Sequence, residues 1–142
     1  MKKVYGSIIL DTAFRYLIPF ILLYGVYVLL HGEYSPGGGF QAGAILGIAF
    51  VLDGLVQGKK AILRITGETA VIIAGIGTFL YCFVGILSML SGGNFLEYSL
   101  LPIPMNDVEK HVWGILGIET GVCICVMFTI IAIFYALVGK EE

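Results

Sequence analysis

Four long apolar runs, separated by short polar stretches, organise the chain. They cover about residues 7–30, 39–56, 69–90 and 112–138. Each is near or above the ~20 predominantly apolar residues that a helix needs to cross a bilayer. The pattern predicts an all-α membrane protein with four transmembrane helices, forming one transmembrane domain over residues 1–142. Lys2 and Lys3 precede the first run, but that run is long for the core of a secretory signal, and Val28-Leu29-Leu30-His31-Gly32 is no convincing cleavage site. The first run is therefore expected to stay as a helix. The connection over residues 91–111 contains Gly92-Gly93-Asn94 and Pro102-Ile103-Pro104, which disfavour a continuous helix. Phe95, Leu96, Leu100, Leu101 and Ile103 make it too apolar for a simple solvated loop. It is expected to lie along the membrane surface or to pack on a partner.

Composition agrees with this reading. Of 142 residues, 58% are hydrophobic and 13% charged, and the mean hydropathy is +0.98. A soluble domain is about a quarter charged, so this chain could not cover a water-facing surface. The net charge of -2 and the lack of a basic arm give no footing for nucleic acid. Lys2, Lys3, Lys59, Lys60, Arg64 and Lys140 fall on one side of a four-span layout. The other side holds Lys110 with Glu33, Glu97, Asp107 and Glu109. The positive-inside rule then places both termini in the cytoplasm, with the chain multi-pass in the cell membrane. Tyr34, Tyr98 and Trp113 fall near the outer boundary, where amphipathic aromatics sit.

Ionisable residues inside a bilayer are costly and mark candidate sites. Asp11 and Arg15 are four apart on the first helix and share a face. Asp53, near the cytoplasmic end of the second helix, comes out at a depth similar to Arg15 and could pair with it. A structural ion pair or a snorkelling arginine explains this group as well as an ion path does. Glu119 lies about two turns inside the fourth run, flanked by Gly117, Ile118, Thr120 and Gly121. A carboxylate at that depth is expected to be protonated or paired. It reads either as a proton-relay or cation-site group or as interhelical glue.

The string Ser35-Pro36-Gly37-Gly38-Gly39-Phe40-Gln41 separates the first two runs. A proline and three glycines suit a tight connection and not the interior of a helix. Pro36 presets the chain, the glycines fold it, and Phe40 is expected to anchor the second helix against a partner. Gly39, Gly43 and Gly47 recur every four residues, and Gly117 and Gly121 repeat that spacing on the fourth helix. Small residues so spaced allow close backbone approach between helices, within the chain or against another subunit. No Gly-Lys-Ser/Thr follows the glycines and no strand precedes them, so neither nucleotide motif applies. Cys82, Cys123 and Cys125 lie in predicted spans; the last two are two apart and point to different sides. Neither a disulfide nor a metal site is indicated. His31 and His111 could meet at the outer face, but two histidines do not make a metal site. There is no nucleophile–base pair, no iron–sulfur cysteine cluster and no cofactor site, so no enzyme activity is expected.

The string from His31-Gly32 through Ser35-Pro36-Gly37-Gly38-Gly39-Phe40-Gln41, with Gly43 after it, resembles the motif of the MnhB/MrpB-type subunit of Mrp-type sodium/proton antiporters. The four-helix layout and the stretch Glu119-Thr120-Gly121-Val122 extend the resemblance over nearly the whole chain. Cys123 and Cys125 depart from it, standing where small or apolar residues are usual. The resemblance implies a small membrane component whose larger partner subunits carry the ion channels for Na+ and H+. It also implies that the same module serves in membrane-bound hydrogenase or sulfur-reducing respiratory complexes. Three functions follow. The first is an assembly and interface subunit. The second is a subunit that also lines part of an ion path, through Glu119 or through Asp53 with Arg15. The third is a self-sufficient four-helix transporter, which leaves the glycine motif unexplained.

Overall fold

The computed structural model describes residues 8–32, 37–57 and 65–138. It has four long helices: α1 (Ile8–Leu30), α2 (Gly39–Gln57), α3 (Gly67–Leu90) and α4 (Asp107–Val138), with a 3-10 turn at Tyr98–Leu100 before α4. All four are long and apolar enough to cross a membrane. The basic residues behind the expected orientation, Lys2, Lys3, Lys59, Lys60, Arg64 and Lys140, lie outside the described residues. So do Glu33, Tyr34, Ser35 and Pro36, and the side chain of Asp11.

Local chemistry explains where the helices begin. Thr66 caps α3: its hydroxyl accepts from the Thr69 amide at 3.2 Å. α3 therefore starts two residues before the apolar run does. α4 starts five residues before its run, because Asn106 and Glu109 form a reciprocal cap. The Glu109 amide donates to Asn106 Oδ1 at 2.9 Å, and the Asn106 amide donates to Glu109 Oε2 at 3.4 Å. Asp107 and Glu109 in the first turn suit the positive end of the helix dipole.

The helices form a row, not a closed bundle. α4 packs against α2 on one side and α3 on the other, and α1 docks mainly on α2. One apolar cluster joins Val28, Ala42, Leu46 and Cys123 from α1, α2 and α4. A second joins Ala70 and Ala74 of α3 to Phe128 and Ile131 of α4. Large side chains such as Phe20, Leu23, Ile72 and Phe79 stay exposed, as expected where hydrocarbon replaces water as the solvent.

The α3–α4 connection does not lie flat on a surface. It folds back onto its own two helices. Leu96 adopts a left-handed backbone (φ 67°), which is costly for a leucine, and the nearby aromatics on either side of it point into glycine notches. The Phe95 ring fills the space beside Gly85 on α3, and the Tyr98 ring fills that beside Gly114 on α4. Leu101 is buried alongside, 3.1 Å from where a Gly114 side chain would begin.

Candidate functional site

The glycine stripe of α2 faces α4. A methyl group at Gly39 would overlap the Glu119 carbonyl oxygen. At Gly43 it would lie 2.6 Å from the Cys123 carbonyl oxygen, and at Gly47 3.1 Å from that of Met127. Each step of four on α2 meets a step of four on α4, so the two backbones run in near contact. Gly117 and Gly121 do not belong to this seam. Gly121 faces α3: a methyl there would lie 2.9 Å from the Gly77 carbonyl oxygen and 3.0 Å from the Tyr81 amide nitrogen. Gly117 has only Val84 nearby, at 3.5 Å, which is ordinary packing distance.

Glu119 stands at the end of the α2–α4 seam where α2 begins. Its carboxylate lies between the two ends of the α1–α2 connection. A methyl on Gly32 would come within 2.5 Å of Oε2 and 2.6 Å of Oε1, and one on Gly38 within 3.3 Å of Oε1. The motif glycines and Glu119, 80 or more positions apart in the chain, thus come together at one place. Two physical requirements meet there. Gly38 has φ +122°, a conformation side chains disfavour. Gly32 and Gly39 leave the room in which the glutamate passes. The first amides of α2 lack helical acceptors, and the positive end of its dipole lies beside the carboxylate, which favours negative charge at that point. Glu119 is half-buried. It lies twelve residues into α4, about 18 Å along the axis from the helix start and level with the first residue of α2.

Asp53 is fully buried, four residues before the end of α2, and accepts a hydrogen bond from Gln57 Nε2. Arg15 is exposed on α1. Gln41 and Phe40 are exposed, Phe40 at 67%, so within the chain Phe40 does not pack down as an anchor. His31 stacks on Tyr27 with ring centroids 4.1 Å apart, whereas His111 meets Tyr98 at 5.8 Å. Cys123 joins the α1–α2–α4 cluster and Cys125 lies 3.2 Å from the Thr78 hydroxyl of α3, so the two do point to different sides.

Sequence reasoning passes over Tyr98 and Tyr81 as site residues. The Tyr98 phenol is pushed up from its ordinary 10.0 by burial first, then by Tyr81 and Glu119 nearby. It therefore stays a neutral O–H group. The available signal is its place among glycines and prolines in an apolar connection, a setting that suits a fold-back segment.

A protein-family model described as "Domain related to MnhB subunit of Na+/H+ antiporter" matches residues 9–132. The chain is similar to a Na+/H+ antiporter subunit of Bacillus subtilis, with 33% identity over 66% of each chain. It is 28% identical to a Staphylococcus haemolyticus protein provisionally named antiporter subunit mnhB2, over 96% of this chain and 98% of that one. An uncharacterised protein of Methanocaldococcus jannaschii is 29% identical over 82% of this chain, which spans about half (47%) of that relative's length. Among solved structures, one chain of the membrane-bound sulfane sulfur reductase, an archaeal respiratory membrane complex, matches with a TM-score of 0.55 and 28% identity. The match covers 90% of this chain and 60% of that one.

Proposed function

The chain belongs to the MnhB family, and from that premise we propose that it is a small integral-membrane subunit of a multi-subunit cation/proton antiporter complex, exchanging Na+ for H+, in which Glu119 lines part of the ion path. The observation that supports this reading is the seat of Glu119 against Gly32 and Gly38. A carboxylate serving only to hold two helices together needs no glycines packed against it at the start of a helix. A carboxylate that changes charge or takes a cation needs donors near it, and the first amides of α2 lie at this end of the seam.

Among the described residues the α2–α4 seam offers no path along its length. Below Glu119 the seam is shut by backbone contact at Gly43 and Gly47. That leaves no space for a file of water between Glu119 and Asp53, the buried acid at the other end of α2. In this reading the path continues from Glu119 sideways, into a neighbouring protein of the complex. This supports an assembly and interface role and weighs against a self-sufficient transporter. Pro36, Phe40 and Gln41 are assigned to the interface with that neighbour, and Asp53, Arg15 and Asp11 stay secondary candidates for an ion path. A second reading, the same module in a membrane-bound hydrogenase or sulfur-reducing respiratory complex, is favoured by the likeness to the archaeal complex.

Recovery of the tagged chain from its native membrane in mild detergent, followed by mass spectrometry, tests the setting. Antiporter-like large subunits support the first reading and redox subunits beside them the second. A chain recovered alone, and active alone in liposomes, would end both. For the site, Glu119→Gln in the assembled complex should abolish most of the antiport; unchanged antiport would reduce Glu119 to packing.

A further inference from the structure

The row of helices has two ends, α1 and α3, and their free faces differ in chemistry. α1 turns Ile18, Gly25 and Val28 inward. Val28 shares a cluster with Leu46 of α2, and a methyl on Gly25 would lie 2.8 Å from the Leu46 side chain. The opposite side of α1 carries Tyr16, Phe20, Leu23, Tyr24 and Tyr27, all between 51% and 71% exposed. Steps of three and four residues set them in one stripe. The rings of Tyr24 and Tyr27 stack along it, with centroids 6.4 Å apart. At the other end, α3 buries Ala70, Ala74, Gly77 and Gly85 and exposes Ile72, Ile76, Phe79, Phe83 and Ile86. That second stripe has no polar side-chain atom. The exposed Thr78 beside it donates to the Ala74 carbonyl at 3.2 Å, so its hydroxyl is satisfied inside the helix.

Depth makes this difference count. The middle residue of α1 is Pro19. Tyr16 is three residues from it and Tyr24 five, about 5 Å and about 8 Å along the axis. Both are well inside the ~15 Å half-thickness of a hydrocarbon core. Helical side chains lean toward the helix N-terminus, so Tyr24 leans back to the middle and not out to the headgroups. Tyrosines that face lipid gather at the membrane interfaces, where the hydroxyl meets water. Among the described residues no hydrogen bond reaches the Tyr16 or Tyr24 hydroxyl, and lipid tails offer no acceptor. We infer that this face of α1 is the docking surface for a transmembrane helix of a neighbouring subunit, one that presents hydrogen-bond acceptors to Tyr16 and Tyr24, whereas the free face of α3 meets lipid. The inference rests on the reading of the chain as a subunit of a complex. Acceptors about 12 Å apart along the partner helix, such as Ser, Thr, Asn or Gln side chains, match the eight-residue spacing of the two phenols. A second copy of this chain fits less well. A two-fold axis along the membrane normal would set each tyrosine against its own counterpart. Two phenols share one hydrogen bond, which leaves one proton of each pair without an acceptor.

The test uses the whole complex in its native membrane. Tyr16→Phe combined with Tyr24→Phe keeps both rings and removes only the hydroxyls. Recovery of the complex in mild detergent should fall about tenfold, the loss of two interhelical hydrogen bonds, while the isolated chain melts as before. Recovery equal to wild type overturns the inference, and so does a matching fall in the melting temperature of the isolated chain. A photoreactive benzoylphenylalanine in place of Tyr24 should cross-link to a different subunit, and one in place of Phe79 should give no protein adduct. In an assembled complex, no protein adduct at Tyr24, or an adduct only with a second copy of this chain, overturns the docking surface. A protein adduct at Phe79 overturns the assignment of α3 to lipid. Should the Tyr24 probe block assembly, the double phenylalanine variant decides alone. A wild-type chain that leaves its membrane with no other subunit ends the underlying reading; an intact complex without the Tyr24 adduct ends only this surface.

Discussion

α4 makes two seams, and they are built differently. Against α3 the close approach is shared: Gly77 and Gly121 face each other, and each leaves room for the other's backbone. Against α2 it is one-sided. Gly39, Gly43 and Gly47 give way to Glu119, Cys123 and Met127, all of which carry side chains. A shared seam can close on itself and needs no particular side chain. The one-sided seam lets α4 keep side chains at Glu119, Cys123 and Met127 while α2 lies against its backbone.

Adding one methyl at each glycine breaks or sharpens that comparison. Gly39→Ala should have the largest effect, because the methyl overlaps the Glu119 carbonyl, a backbone atom that cannot rotate away. Forcing the helices apart should cost about 3 kcal/mol, only partly offset by the better helix propensity of alanine. Melting of the purified chain in detergent should fall steeply, and little complex should be recovered. Gly43→Ala, 2.6 Å from the Cys123 carbonyl oxygen, should follow closely. Gly121→Ala, 2.9 Å from its nearest atom, should cost about 1 kcal/mol less than either. An equal loss at Gly121 and Gly43 would mean that the two seams are mechanically alike.

Gly32→Ala asks a different question of the same seam. The atoms nearest its methyl would be those of the Glu119 carboxylate group, with the oxygens 2.5 and 2.6 Å away, at the far end of a flexible side chain. The glutamate can swing aside, so stability should fall by no more than about 1 kcal/mol. Antiport should fall much further, since the carboxylate loses its seat. Comparing complex yield with antiport rate in reconstituted vesicles checks this. A loss of yield as large as the loss of rate would make the site a structural clamp.

These regions are legible in the sequence to different degrees. Helix existence is plain, since length and apolarity decide it, and the start of α2 at Gly39 follows from the glycine run. Apolarity alone places the starts of α3 and α4 late, although Asn106-x-x-Glu109 carries a readable cap signal. The seat of Glu119 against Gly32 and Gly38 is out of reach, because no local rule pairs residues on α4 with a turn so far back in the chain. Spacing alone also cannot separate the glycine stripes. Gly39-Gly43 and Gly117-Gly121 share a period of four, but the partner helix each faces depends on rotation about the helix axis, which only tertiary packing sets.

Gly117 is where that ambiguity can be tested with the smallest perturbation. Spacing groups it with Gly121 as a contact pair, whereas the packing leaves it with one side-chain neighbour, Val84 Cγ2, at 3.5 Å. A methyl fits there without displacing backbone. Gly117→Ala should therefore leave antiport and assembly unchanged and raise stability, by up to the ~1 kcal/mol that alanine gains over glycine inside a helix. A rise in melting temperature in detergent is the expected sign. A fall in complex recovery with a stable isolated chain would instead show that Gly117 meets a neighbouring protein of the complex, and the unshared part of the α4 stripe would then belong to the assembly and not to the fold.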